Sequence, residues 1–310
     1  MGQTVADLGE FGLISLLTQH FSQGEHVVVG PGDDAALIRI KQGHVVASAD
    51  MMVEGRHFRR DWVSGADVGH RAAAQNLSDI NAMGGVAHSL TLSLGLPADL
   101  EAAWVEDLAA GFAEEAGLVG ASVIGGDVTS SSQIVVAVSV LGAVRQAPVL
   151  RSGAKPGDVL AMAGRQGWAA GGLAVLGRGF RSPRLLVDAY RRPEPPYAAG
   201  PEAAAAGATS MIDVSDGLLA EVGHLAYASG VAIDVRTASL EVPEPLHAVA
   251  AATGADPLSI ILGGGDDHSL LATFPGAVPA GWTAVGVVAQ GEGVTVDGAP
   301  YDGPTGWKHF

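Results

Sequence analysis

Val27-Val28-Val29-Gly30-Pro31-Gly32-Asp33-Asp34-Ala35 is the stretch on which the fold turns. A β-branched run followed by G-x-G-x-x-A has the form of a dinucleotide fingerprint, and Asp50 lies near the expected acidic position. That motif needs a turn that opens a helix, with the helix N-terminus on the pyrophosphate. Here the chain runs on as Leu37-Ile38-Arg39-Ile40, which reads as a strand, and Asp33 and Asp34 would repel a bare pyrophosphate. The fingerprint is rejected on both grounds. With metal ions in between, the same aspartates would attract phosphates instead. Taken alone, the loop fits an ordinary Asp-rich turn equally well.

Similar corners recur outward from it: Ser48-Ala49-Asp50, Asn76-Leu77-Ser78-Asp79, Gly125-Gly126-Asp127, Asp213-Val214-Ser215-Asp216-Gly217 and Gly263-Gly264-Gly265-Asp266-Asp267. A carboxylate on a tight, small-residue turn suits a hard cation. Mg2+ takes oxygen ligands and shares its shell with substrate phosphates. So many corners point to a multi-metal phosphate site. Each has a plainer reading. Asn76 and Asp79 share a helix face, which alone reads as solvated. Ser215 or Asp216 would serve as a helix N-cap, leaving the other unexplained. Gly125 and Gly126 allow close approach by a ligand, or merely a turn. His57, between Arg56 and Phe58, is a lone histidine of a kind more often structural than functional.

No G-x-S-x-G, Walker lysine or protein-kinase loop set occurs, so no covalent nucleophile or general base is expected. Charge on any bound phosphate must be met by metals, by a few arginines such as Arg151, and by backbone N–H groups.

Composition narrows the classes further. The 310 residues suggest two domains at about 150 residues each. Lys plus Arg number 17 against 33 Asp plus Glu, a formal charge of −16, which argues against a nucleic-acid partner. There is no cysteine, which removes disulfides, thiolate metal sites and thiol nucleophiles. The N-terminus lacks a basic, then apolar leader, and no apolar run is long enough to span a bilayer. A cytoplasmic enzyme that does not engage membranes is expected.

Periodicity predicts strands over 27–29, 35–40, 44–49, 89–94, 134–141, 159–163, 231–235, 270–274 and 284–288. It predicts helices over 66–83, 99–116 (with Asp99 as cap), 169–176 and 218–229, the last starting on Ser215 and Asp216. Pro193-Glu194-Pro195-Pro196 reads as a rigid extended stretch. The Pro- and Gly-bearing segment 145–158 is the natural domain edge.

In order, these motifs resemble the thiamine-monophosphate kinases. The resemblance rests on Gly30–Ala35, Ser48–Asp50, Gly55-Arg56-His57-Phe58, Asn76–Asp79 with Ala82-Met83-Gly84, Gly125–Asp127, Arg151–Asp158, Ile212–Leu218, Gly264–Asp267 and the ending Gly306-Trp307-Lys308-His309-Phe310. It spans nearly the whole chain, and its strength lies in the ordered set. It implies an α/β (α+β) protein of two domains, over 1–146 and 147–310. The first would bind ATP and metal and contribute strands to a barrel at a homodimer interface. The second, an α/β domain, would complete the substrate site. It implies ATP-dependent phosphorylation of thiamine monophosphate to thiamine diphosphate with several Mg2+ ions. By position, Asp34, Ser48, Asp50, Asp79, Asp127, Asp213 and Asp216 would hold metal. Gly126, Asp127, Arg151 and Ser215 would contact ATP, and His57, Asp266 and Trp307 the thiamine phosphate. Three positions depart from the family pattern: Ala49 for threonine, Asp266 for glutamate and Val128 for threonine. Selenophosphate synthetase, of the same superfamily, is disfavoured by the missing cysteine. A non-catalytic, cation-stabilised binding module is the rival from another class. Trp307 admits two readings, a hydrophobic clasp of the tail or a ring stacked on the cationic substrate.

Overall fold

A computed structural model describes residues 3–29, 37–39, 44–145 and 147–307. The loop 30–36, with the expected metal ligand Asp34, lies outside the described residues, as does the ending 308–310. Contacts divide the chain into two units. One comprises Met1–Ile80 with Val86–Arg145, the other Asn81–Gly85 with Gln146–Phe310.

The first unit runs α1 (Val5–Thr18), β1 (Val27–Val29), β2 (Leu37–Ile38), β3 (His44–Val53), α2 (Gly65–Ala82), β4 (Val86–Leu96), α3 (Ala102–Leu118), β5 (Ser122–Ser130) and β6 (Val135–Val144). The last two residues of α2 cluster with the second unit. Strand β2 pairs antiparallel with β1, so the chain after the Gly30 loop re-enters as strand, as the rejection of the dinucleotide fingerprint requires. A four-stranded sheet has the order β3-β6-β4-β5, with only β4 and β5 parallel. Alternation buries one face: Met52, Leu90, Leu92, Leu94, Val136, Val138 and Val140 are all shielded. Gly142 on β6 makes room there for Ile80 of α2. Helices α2 and α3 meet backbone to backbone. A Cβ on Gly69 would collide with the Leu108 carbonyl oxygen, and one on Gly111 with that of Ala66.

Two local expectations need correction. Helix α3 begins at Ala102, not at Asp99, and Glu101 is its N-cap. The backbone of 98–102 is engaged elsewhere: Val5 N donates to the Leu100 carbonyl, Ala6 N to that of Ala98, and Ala102 N to that of Gln3. Tertiary hydrogen bonds outweigh the local cap signal. Gly125-Gly126-Asp127 is not a turn but the middle of β5. Glycine is needed at 126 because a Cβ would sit on the Leu92 carbonyl oxygen of the neighbouring strand.

The second unit runs β7 (Val159–Ala163), α4 (Trp168–Gly177), α5 (Arg184–Arg191), α6 (Ala199–Ala205), β8 (Ser210–Asp213), α7 (Leu218–Ser229), β9 (Ala232–Val235), a 3-10 turn (Thr237–Ser239), α8 (Glu244–Thr253), α9 (Pro257–Gly263), β10 (Leu270–Phe274), β11 (Thr283–Ala289) and β12 (Gly293–Val296). Its six strands have the order β12-β9-β11-β7-β10-β8, antiparallel except between β12 and β9. All five residues of β10 are buried, as expected of a central strand. Its Phe274 meets Trp282 edge-on, with ring centroids 5.5 Å apart, beside Met211 and Leu270. Among the described residues no single helix is long and apolar enough to cross a membrane.

Candidate functional site

In the first unit the described carboxylate corners sit on strand and helix. Ser48 and Asp50 lie on β3, two residues apart, and so share one face of the strand. Ser48 Oγ donates to Asp79 Oδ2 of α2 at 2.6 Å. Two residues expected to share metal are thus joined, and the hydroxyl already orients the carboxylate. Asn76 does not lie on a solvated face. It is fully buried, its Nδ2 bonded to the Ala72 carbonyl at 2.9 Å. Its Oδ1 and the nearby Ser78 Oγ are buried without a hydrogen-bond partner. Such orphaned oxygens are rare in a packed interior and suit a site built for polar guests.

His57 follows β3 in a turn made possible by Gly55 at φ +81°. Its Nδ1 accepts from Val53 N at 3.0 Å, so the neutral ring carries its proton on Nε2. That leaves it a donor, the polarity a phosphate oxygen needs. Gly126 and Asp127, by contrast, lie on β5, across the sheet from β3. Three strand spacings of about 4.8 Å separate Asp50 from Asp127, too far for one cation to bind both. Within one chain, then, Asp127 is not brought to the Ser48–Asp50–Asp79 group.

In the second unit the two acidic turns form one platform. Asp213 ends β8 and is 4% exposed. Asp266 N donates to the Ser215 carbonyl at 2.9 Å, and His268 N to that of Val214 at 3.2 Å. His268 Nδ1 meets Asp213 Oδ2 at 3.1 Å. The loop holds Asp266 at φ +65° and His268 at φ +52°, a left-handed backbone in two side-chain-bearing residues. Such residues cost about 1–3 kcal/mol each and persist only where their surroundings over-determine them. Gly265 lets the loops close, since a Cβ there would strike the Ser215 carbonyl oxygen.

Residues 305–307 bond to the same platform. Trp307 N donates to the Asp216 carbonyl at 2.9 Å, and Ala220 N to that of Thr305 at 3.0 Å. The tail is held by its backbone, while Trp307 itself is 54% exposed. Asp213, Ser215, Asp216, Asp266 and Trp307 are therefore gathered in one place. Arg151 is exposed on a segment pinned by Ser229, whose Oγ bonds Gly153 N, Ala154 N and the Arg151 carbonyl.

Neither Ser215 nor Asp216 caps α7. Its N-cap is Gly217, and Glu221 reaches back from inside the helix to Asp216 N at 3.2 Å and Gly217 N at 2.9 Å. Neither residue therefore carries the capping role that the sequence reading allowed. Burial raises the Glu221 pKa to about 7, and the charges of Asp216 and Asp213 push in the same direction.

Gln166, Glu221 and His268 were missed, and Asp267, named in its acidic corner, was given no role of its own. Asp267 Oδ1 accepts from Ala169 N at 2.9 Å in the first turn of α4, and Oδ2 has no partner. Burial lifts its pKa to about 7. An acid in the first turn after Asp-Gly, and Asp-Asp-His after three glycines, were the available signals. Gln166 had none.

Comparison with known proteins agrees with this assembly of parts. Residues 32–144 match the AIR synthase related protein, N-terminal domain, and residues 155–273 the AIR synthase related protein, C-terminal domain. A thiamine-monophosphate kinase of Mycobacterium tuberculosis is 47% identical over 99% of this chain and 93% of its own length. One of Corynebacterium glutamicum is 37% identical over 100% and 96%. The solved structure of AaThiL complexed with AMPPCP and TMP superposes with a TM-score of 0.82 at 32% identity, covering 100% of both chains. The similarity is full-length in sequence and in fold, and the chain belongs to the thiamine-monophosphate kinase family.

Proposed function

We propose that this protein transfers the γ-phosphoryl group of ATP to thiamine monophosphate, giving thiamine diphosphate. The observation that carries it is the full-length 47% identity to a thiamine-monophosphate kinase, joined to the intact set of described carboxylates. The likeness to AaThiL complexed with AMPPCP and TMP supports the same pair of substrates. The cytoplasmic location expected from the sequence goes with this reading.

The acceptor is itself a phosphate whose second pKa is near about 6, so it is already largely a dianion at neutral pH. No general base is required. The protein's task is to hold two anions in line. Arg151, Ser215 and the Gly126 backbone would hold the nucleotide. His57, as an Nε2 donor, would face the thiamine phosphate, Asp266 would orient it, and the exposed Trp307 ring would lie on its cationic heterocycle. Asp34, Ser48, Asp50, Asp79, Asp127, Asp213 and Asp216 would hold magnesium. The all-oxygen donor set, the Ser48–Asp79 bond and the carboxyl crowding around Glu221 fit a hard cation. When bound, magnesium supplies charge neutralisation and a template for the phosphate oxygens.

We further propose a homodimer that shares its sites. The second face of the first unit's sheet is open and apolar along β3. Val45, Ala47, Ala49 and Met51 of β3 are exposed on one side, and Val86 of β4 is 50% exposed. The outer edges of β3 and β5 carry no further strand among the described residues. An open face with two bare edges invites closure into a barrel with a second copy. Pairing β3 of one copy with β5 of the other would set Asp127 beside the partner's β3, the strand that carries Asp50. That is the closure that one chain does not achieve by itself.

Thiamine monophosphate, ATP and Mg2+ should yield thiamine diphosphate and ADP in equal amounts. ATP bound or hydrolysed without thiamine diphosphate would point to a binding module or to another phosphotransferase.

A further inference from the structure

We propose that Gln166 is a positioning residue that holds the Asp266 turn in its substrate-receiving shape. The inference rests on the reading of Asp266 as a contact to the thiamine phosphate. Gln166 precedes α4 and is buried. Its amide donor, Nε2, reaches two carbonyl oxygens: Gly264 at 2.6 Å and Ile261 at 3.0 Å. Its Oε1 accepts from Ser269 Oγ at 3.0 Å. Gly264 and Ser269 are the two ends of the turn that carries Asp266, so one amide ties both.

What it ties would not hold by local preference. Asp266 and His268 both have left-handed backbones, and both are side-chain-bearing residues. The turn leans on its neighbours through Asp266 N to Ser215, His268 N to Val214 and His268 to Asp213. Those bonds fix its middle. Gln166 fixes its ends, one side chain bonded to both. Asp267 supports the same seat, since its Oδ1 is bonded to Ala169 N three residues beyond Gln166. The aspartate at 266 has a shorter side chain than the glutamate of the family pattern, so its reach depends more heavily on where the backbone puts it. An amide is the chemistry this seat demands: donors toward two carbonyls and an acceptor toward a hydroxyl.

The test is a double-mutant cycle on the full-length enzyme. Gln166→Met keeps the volume and removes all three hydrogen bonds. It should raise the KM for thiamine monophosphate about tenfold, with kcat and the ATP KM within about twofold of wild type. In an Asp266→Ala background the same exchange should add less than about twofold, because its effect runs through Asp266. Gln166→Glu, which sets a carboxylate oxygen against the Gly264 and Ile261 carbonyls, should do at least as much damage as Gln166→Met. A full tenfold effect without Asp266, or equal damage to both substrates, would overturn the proposal. Should Gln166→Met not fold, Gln166→Glu carries the same cycle with the same criterion. Wild-type protein without kinase activity would defeat the functional reading instead. The brace would then be judged by amide hydrogen exchange over residues 264–269: faster in the variant upholds it, unchanged refutes it.

Discussion

The two units treat their acidic corners in opposite ways. In the second, the turns at 213–217 and 264–269 are stitched to each other, to α4 and to the chain ending by backbone and side-chain hydrogen bonds. In the first, Ser48, Asp50 and Asp79 gather near one edge of a sheet, Asp127 stands at the other, and one sheet face is bare. The second unit is finished within one chain. The first has the look of half a structure. A platform braced in this way suits the rigid seating of a small organic substrate. In the proposed dimer, the first unit's share of the metal and nucleotide site would be completed by the second copy.

The heaviest blow to the first unit is loss of its cations. Excess EDTA should abolish turnover, and Asp50→Asn or Asp127→Asn should lower kcat by about a thousandfold or more with the melting temperature retained. Near-normal turnover in EDTA would remove the metal reading.

The next effect separates an open face from an idle one. Met51 is 56% exposed on β3. Met51→Glu would bury a charge if that face is the dimer contact. Light scattering should then report the single-chain mass, and activity should drop by about tenfold or more. A variant that stays dimeric shows that the contact lies elsewhere.

Smaller effects belong to the second unit. Trp307→Ala removes a contact worth about 0.5–2 kcal/mol, so the thiamine-phosphate KM should rise by about 2- to 30-fold with kcat spared. The melting temperature should hold, because the tail docks through Thr305 and Trp307 backbone atoms. A fall in melting temperature with an unchanged KM would make the tail a clasp after all.

The smallest is a pH effect. The Asp267 pKa is raised to about 7 from 3.8, so the folded protein keeps a proton that the unfolded chain releases. Its contribution to stability is full below about pH 4 and fades as pH rises to about 7. Asp267→Asn keeps the acceptor for Ala169 N and cannot ionise. The wild-type melting temperature should therefore lose ground to the variant across that window. Parallel pH profiles would show that Asp267 is not held protonated.

Much of this was readable beforehand, for physical reasons that differ between regions. Strands such as Val159–Ala163 and Leu270–Phe274 declare themselves because buried central strands are continuous apolar runs. The carboxylate corners show because glycine and serine beside an aspartate are conspicuous. The true start of α3 was hidden, because its competing hydrogen bonds come from Gln3, Val5 and Ala6, about a hundred residues earlier in the chain. The capping of α7 from within was hidden for another reason. Glu221 reads as an ordinary first-turn acid until its hydrogen bonds to Asp216 and Gly217 are visible. Gln166 lay outside every motif, since its three partners are about a hundred residues downstream. Motifs announce the groups that meet a ligand. The groups that hold those in place leave no local trace.

The most direct measurement mixes the two inactive variants. Asp50→Asn and Asp127→Asn chains, co-expressed with different tags and purified through both, should be assayed for thiamine diphosphate formation. If each site takes Asp50 from one copy and Asp127 from the other, a mixed dimer holds one intact site and one doubly defective site. Doubly tagged dimers should recover about half of wild-type turnover, while either variant alone stays near zero. Activity no greater than that of the separate variants would mean that each site is built from a single chain, and the division drawn between the two units would be wrong.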